Sequence, residues 1–294
     1  MNLLLFASPL LAQQASVTQL TSDVYLFRFG FHSNIFVVTP EGVVATDPIG
    51  TVAARLCLEE IRKVTDKPVR YVIYSHDHTD HIAGGAVFKP EAQFVAHRSA
   101  LEVIRQRGVK EIVEPDLLVG ERHELRLGGK IIQLMHLGRI ESESNIAIYL
   151  PQDKVLMWVD AVRSYGVPYR YLEGTDLRQF RQALEEVEKL DFDHLVHGHG
   201  PSTDKSQVSL FRRYFDDLDR FTRQEMKKYP VSEHRRTSGE EDPHRFFDSY
   251  IERIASRSHE RMRSSYGELG GFESWGPKNA ERMVVFFLHE LPFE

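Results

Sequence analysis

Apolar positions along this chain follow two rhythms. Up to about residue 195, short apolar runs of strand length alternate with helical patterns. Val24-Tyr25-Leu26, residues 35–38 and residues 43–46 read as strands, and Thr39-Pro40-Glu41-Gly42 between the last two reads as a turn, so the chain opens with a hairpin. Residues 69–74, 146–150 and 155–159 are further strand-like runs, the first of them a buried strand. Residues 52–63 and 177–190 are helical; in the second, Leu177, Phe180, Leu184, Val187 and Leu190 recur at the spacing of one buried face. Beyond residue 201 only the helical period remains. Val208, Phe211, Phe215 and Leu218 mark one long helix, Phe247, Tyr250, Ile251 and Ile254 a second, and residues 279–291 a third, with the aromatic stripes expected to pack inward. Between the first two, residues 231–243 are polar and charged and predict an exposed loop. There is no internal repeat.

The chemistry gathers directly after the buried run. His76-Asp77-His78-Thr79-Asp80-His81 puts three imidazoles and two carboxylates into six residues. Side chains alternate faces in extended chain, so His76 and His78 point the same way and can share one ion. Asp80 and His81 follow where the chain turns into Ile82-Ala83-Gly84-Gly85-Ala86, which aims them at a second point nearby. Two metal ions are the natural reading. Imidazole and carboxylate suit zinc, manganese or iron, and the cluster has no thiolate, which argues against a structural zinc finger.

This arrangement resembles the metallo-β-lactamase superfamily, whose signature is His-x-His-x-Asp-His, and further matches follow in the family's order from about residue 20 to 205. Asp160 follows the strand-like residues 155–159, where the family has a carboxylate bridging two metals. His199, in Gly198-His199-Gly200-Pro201, matches the family's last histidine ligand. Asp47 ends residues 42–48, which look like the family's second strand, and is expected to support the metal loop. The resemblance implies an α/β (α+β) fold, an αββα sandwich of two mixed sheets, with a helical C-terminal extension. It divides the chain into residues 1–14 as a signal-peptide remnant, 15–204 as the catalytic domain and 205–294 as the extension packed on it. The late Trp275 and Asn279 are similar to the helical tails of periplasmic metallo-hydrolases.

One position departs from the family. A third histidine for the first metal normally comes from a Gly-x-x-His-Ser/Thr segment; here the stretch reads Leu137-Gly138-Arg139-Ile140-Glu141-Ser142, with Glu141 at the histidine's place and His136 five residues earlier. Glu141 is the favoured ligand and His136 the alternative. Alkylsulfatases, a branch of the same superfamily, also use a glutamate among these ligands. With Asp80, Glu141 and Asp160 ionised, three carboxylates and one hydroxide cancel two divalent charges, which opposes the acidification of bound water and favours manganese or iron more than usual.

The expected ligand set is therefore His76, His78, Asp80, His81, Glu141, Asp160 and His199, holding two divalent ions, Zn2+ first and Mn2+ or Fe2+ as alternatives. The resemblance implies a hydrolase whose metal-bound hydroxide attacks an ester, lactone or amide-like bond, with Asp80 orienting the water and serving the leaving group. Two other readings stand beside it: an iron-dependent oxidoreductase, since flavodiiron proteins and persulfide dioxygenases are similar in fold, and a non-catalytic metal-binding protein. No Gly-x-Ser-x-Gly elbow supports covalent catalysis. Substrate candidates on nearby loops are His32, Arg139, Arg163 and Tyr169.

Composition narrows the partners. A net charge of −6 without a long basic run speaks against nucleic acid and leaves a small-molecule substrate. The single cysteine, Cys57, forbids an internal disulfide and is expected in the core. Residues 1–14 are apolar, end in small or polar residues and lack a positive start, so they predict export, periplasmic or secreted, with the cytoplasm as the alternative. No segment is long enough to span a membrane. A monomer or a homodimer is expected.

Overall fold

In the computed structural model, which describes residues 15–89 and 91–290, the strand-length runs pair into two sheets. The first takes its strands in chain order: β1 (Ala15–Gln19), β2 (Val24–Phe29), β3 (His32–Thr39), β4 (Gly42–Thr46), β5 (Val69–Ile73), β6 (Gln93–His97) and β7 (Leu117–Val119). Neighbours are antiparallel as far as β4 and parallel from β4 to β7. Parallel neighbours need a crossover, and α1 (Thr51–Val64) and α3 (Ala100–Arg107) lie within two of these; the short α2 (Thr79–Ile82) lies between β5 and β6. The second sheet contains β8 (Arg122–Leu127), β9 (Lys130–His136), β10 (Ile146–Leu150), β11 (Val155–Met157) and β12 (His194–Val196), in the order 12-11-10-9-8. Only the β11–β12 pair is parallel there. The expected hairpin closes at Thr39 and Gly42, where Thr39 Oγ1 donates to the Gly42 carbonyl at 2.8 Å.

Alternation along the strands makes the core. Val24, Leu26, Ile35, Val37, Ile73 and Val95 from the first sheet pack with Ile132, Leu134, Ile148, Leu150 and Met157 from the second. The intervening residues Phe27, Phe36, Ala45, Val72 and Phe94 join Ala53, Ala54, Cys57 and Ile61 of α1 and Ala100 and Ile104 of α3 in a separate cluster. Each large side chain buried in this way contributes roughly 1.5–3 kcal/mol. Cys57 has the core place expected of it, and burial pushes its thiol up to about 12.

Among the described residues, those up to Ala161 together with Asp191–Lys205 form the sandwich, and Val162–Leu190 with those from Ser206 on form a second unit. That unit holds α4 (Leu177–Glu188), α5 (Ser206–Lys228), α6 (Val231–Thr237), α7 (Pro243–Tyr266) and α8 (Phe272–Glu290). Asp176 caps α4 by accepting from the Arg178 and Gln179 amides, and Asp242 caps α7 just ahead of Pro243 at its first position. Two expectations are corrected here. The buried stripe of α7 runs through Phe246, Tyr250 and Ile254, while Phe247 is 42% exposed. The polar stretch 231–243 is not all exposed loop, because α6 occupies its first half and buries His234 against Tyr229, Phe246 and Tyr250. One inward position sufficed, which composition could not register. No helix among the described residues is long and apolar enough to cross a membrane. The signal-like residues 1–14 lie outside the described residues.

Candidate metal centre

The chemistry-bearing residues sit at strand ends. Asp47 follows β4, the segment from His76 to His81 follows β5, Asp160 follows β11 and His199 follows β12. His32 opens β3, which runs antiparallel to β4, so it comes to the same end of the sheet. Backbone hydrogen bonds knit these loops together: Asp47 N to Ile73 O at 3.0 Å, Ile146 N to Ser75 O at 2.8 Å, Asp160 N to His197 O at 3.0 Å and Ser33 N to Gly198 O at 2.7 Å. Three carboxylate residues have positive φ, Asp47 at 24°, Asp160 at 60° and Glu141 at 63°. Such strain costs of order 1–3 kcal/mol each and persists where surrounding structure enforces it. Glycine is required at 198, where φ is +81° and a Cβ would stand 2.4 Å from Val159 Cγ1.

Six of the seven expected ligands converge. His76, His78 and Asp160 form one group of donors and His32, Asp80, His81 and His199 another, the donor atoms within each group lying within 4.8 Å of one another. Asp160 stands between the two, its Oδ2 3.7 Å from His76 Nε2 and 3.1 Å from His81 Nε2. His78 stands at the N-terminal boundary of α2 in extended conformation, so the chain turns immediately after the first pair and carries Asp80 and His81 to the second group.

The nitrogens of these rings are used in a consistent way. His199 Nδ1 donates to Asp160 Oδ1 at 2.6 Å, His76 Nδ1 lies 3.0 Å from Ser75 Oγ, and His81 Nδ1 faces Asp47 Oδ2 at 3.5 Å. Ser75 in turn donates its hydroxyl to Asp47 Oδ2 at 2.6 Å and its amide to Oδ1 at 2.8 Å, so the fully buried Asp47 orients both groups. Each ring therefore turns its Nε2 inward. His76 Nε2 and both nitrogens of His81 are buried with no hydrogen-bond partner among the described residues. Buried polar atoms of this kind are rare unless they serve an ion or a reaction, and outer oxygens on Nδ1 are the usual support of ligating histidines. The donor set fits divalent metal ions.

Electrostatics favour cation capture at the same points. Burial alone would lower the His81 imidazole, but the carboxylates of Asp160 and Asp47 carry it up to about 10; burial likewise opposes His199, which Asp160 and Asp80 raise to about 9. His199 and His32 hold the Asp80 carboxyl well below the usual carboxylate range. Burial disfavours the Asp160 carboxylate, and its histidine neighbours His199 and His81 more than offset this. Burial, with His81 next to it, keeps His76 neutral, pushing its pKa well below the ordinary value.

Glu141 falls in neither donor group. It is the centre of a tight three-residue turn in which Ser142 N donates to Ile140 O at 2.7 Å, a strained form for a residue with a side chain. His136, the alternative ligand, is also in neither group; it stacks on His97 at 4.1 Å and donates to the Glu143 carbonyl at 3.1 Å. Ser99 Oγ reaches the same carbonyl at 2.7 Å. On the other side Ser144 Oγ donates to Asp77 Oδ2 at 2.7 Å, and Arg107 holds Asp77 Oδ1 at 3.0 Å and its backbone oxygen. Asp77, between the two histidines of the first group but facing away from them, thus clamps the loop that carries Glu141. Its signal in the sequence was the alternation that turned His76 and His78 together.

The substrate candidates disperse. His32 joins the second donor group, and Arg139 pairs with Glu143 at 3.3 Å. Arg163 and Tyr169 belong to the second unit, where the Arg163 guanidinium lies over the rings of Trp275 and Tyr169 at 4.7 and 5.4 Å.

The chain is 26% identical over 264 residues to 2,4-dinitroanisole O-demethylase subunit beta from a Nocardioides species, covering 89% of this chain and 78% of that one. It is 23% identical over 232 residues to a linear primary-alkylsulfatase from a Pseudomonas species, of which it covers 44%. Among solved structures, a metallo-beta-lactamase from Pontibacter korlensis superposes with a TM-score of 0.61 at 22% identity, over 69% of this chain and 99% of that one, the fold class expected from the sequence. Residues 28–199 match the family model of the metallo-beta-lactamase superfamily, a span that includes every residue of both donor groups, and the chain belongs to that superfamily.

Proposed function

We propose that the protein is a dinuclear metal-dependent hydrolase acting on an ester, lactone or amide-like bond of a small molecule. The observation that carries this reading is the placement of Asp160 between two separate donor groups, with the inward Nε2 atoms of His76 and His81 making no hydrogen bond among the described residues. Two divalent ions, Zn2+ first and Mn2+ or Fe2+ as alternatives, would be held by His76, His78 and Asp160 with Glu141, and by Asp80, His81, His199 and Asp160; they supply Lewis-acid polarisation and a more acidic water. Asp160 sets the separation of the groups. Asp80, whose side chain is 53% exposed and held ionised, is the carboxylate that can orient a water and accept its proton for delivery to the leaving group. Asp47 fixes the ring orientations through Ser75 and His81.

A second reading is favoured by the likeness to the O-demethylase subunit along 89% of the chain. It is removal of a methyl group from an electron-poor aryl ether, by hydrolysis or by iron-dependent oxidation, in company with a second subunit. Metal content and oxygen source test both. Protein purified without added metal should hold close to two ions per chain, falling towards one in Glu141→Ala and unchanged in His136→Ala. Turnover of an ester, lactone or sulfate panel in 18O-water should place the label in the product. Label drawn from dioxygen instead would move the oxidative reading to the front, and one ion or none in wild type would sink the dinuclear mechanism.

A further inference from the structure

We propose that His32 is an additional ligand of the second metal ion, so that this ion is held by three imidazoles and two carboxylates. The inference rests on the metal-centre reading above and adds a donor that comes from neither the His-x-His-x-Asp-His segment nor the loops after β11 and β12. His32 Nε2, His199 Nε2 and His81 Nε2 stand 3.2, 3.4 and 3.6 Å from one atom, Asp80 Oδ2. Donors bound at about 2.0–2.2 Å to a common ion stand about 2.8–3.6 Å apart at octahedral or tetrahedral angles. All four donor atoms lie within 4.8 Å of one another. The rings are gathered in the same sense, His32 with His199 at 4.4 Å between centroids and with His81 at 5.5 Å.

The backbone makes this placement firm. His32 and His199 form a β-bridge, flanked by Ser33 N to Gly198 O at 2.7 Å and Gly200 N to Phe31 O at 2.9 Å. The two histidines are thus registered against each other by main-chain bonds before any side chain turns inward. With Asp160 shared, the second ion has five protein donors, a set suited to five- or six-fold coordination and to manganese or iron as well as zinc. The rival role for His32 is that of a hydrogen-bond donor that only orients Asp80.

Metal binding separates the two roles without using any substrate. Chelator competition on the full chain should resolve two ions in wild type. In His32→Ala and in His32→Gln the ion of the second group should bind more weakly by more than the roughly 10–100-fold typical of losing an outer partner, with the ion of the first group unaffected. The cobalt-substituted variants should show stronger visible bands than wild type as the coordination number falls. Recovery of wild-type affinity and spectrum in His32→Gln, which keeps a donor for Asp80, would overturn the assignment, as would unchanged binding in both variants. If His32→Ala fails to fold, His32→Gln decides alone. Wild-type protein that takes up no metal would overturn the metal centre itself, and this assignment with it.

Discussion

His76 and His78 stand two residues apart on one loop and need only Asp160 to make a group of three, whereas His32, Asp80, His81 and His199 are gathered from three stretches of chain. The first group is local and poor in donors. Its His76 side chain is wholly buried, and the further ligand proposed for it, Glu141, lies on the loop 137–145. The second group is rich in donors and more open, with Asp80 at 53% exposure. The difference teaches that a short motif can specify a site without completing it. The motif supplies most of the first group, while the loop that carries Glu141 is held by a clamp of Asp77, Arg107 and Ser144 that the motif itself does not describe.

The strongest way to break this contrast is to remove what the groups share. Asp160→Ala should weaken both ions well beyond the roughly 10–100-fold of an outer partner, taking metal per chain towards zero by elemental analysis. An Asp160→Ala protein that retained one tightly held ion would show that the groups are independent. Glu141→Ala sharpens the contrast next: the first group's ion should be lost on desalting and the second's kept, and loss of both would contradict the assignment of Glu141 to the first. Asp77→Asn should act more gently. It leaves every ligand in place, so the first ion should bind about 10–100-fold more weakly with the second unchanged, and chemical denaturation should report a loss of about 1–3 kcal/mol for the disrupted charged hydrogen bonds.

The smallest effect concerns the other side of the clamp. Burial, His136 and Arg98 push the His97 imidazole down to about 4. A depressed histidine favours the folded state fully above its ordinary pKa near 6.5, and that contribution is lost as pH falls through about 4. Protection factors of the Glu143 and Ser144 amides, taken relative to the intrinsic exchange rate at each pH, should therefore fall between pH 6.5 and 4 in wild type and depend less on pH in His97→Gln. Equal pH dependence in the two would detach the stacked pair from the loop.

What the sequence disclosed followed from locality. The alternation of His76 and His78, the turn at Asp80 and the strands ahead of Asp160 and His199 are all readable over a few residues. His32 is legible in the sequence as a substrate candidate on a nearby loop and not as a ligand, because its place is set by a bridge to a residue far along the chain. Glu141 is harder still. Its direction depends on a positive φ and a strained turn, neither of which a glutamate announces. In the helices the same limit appears as phase: two adjacent phenylalanines fit one stripe about equally, and only packing chose Phe246 over Phe247.

The bridge between His32 and His199 also fixes when the centre can exist. During synthesis the first histidine pair emerges early, Asp160 some eighty residues later, and the second group cannot close until the strand ending in Val196 has been made and the chain has returned to meet β3. An ion arriving early finds only a partial seat. Capture by all the donors together is thus coupled to closure of the sandwich, and a bound ion would act as a seal on a finished fold rather than a nucleus for folding.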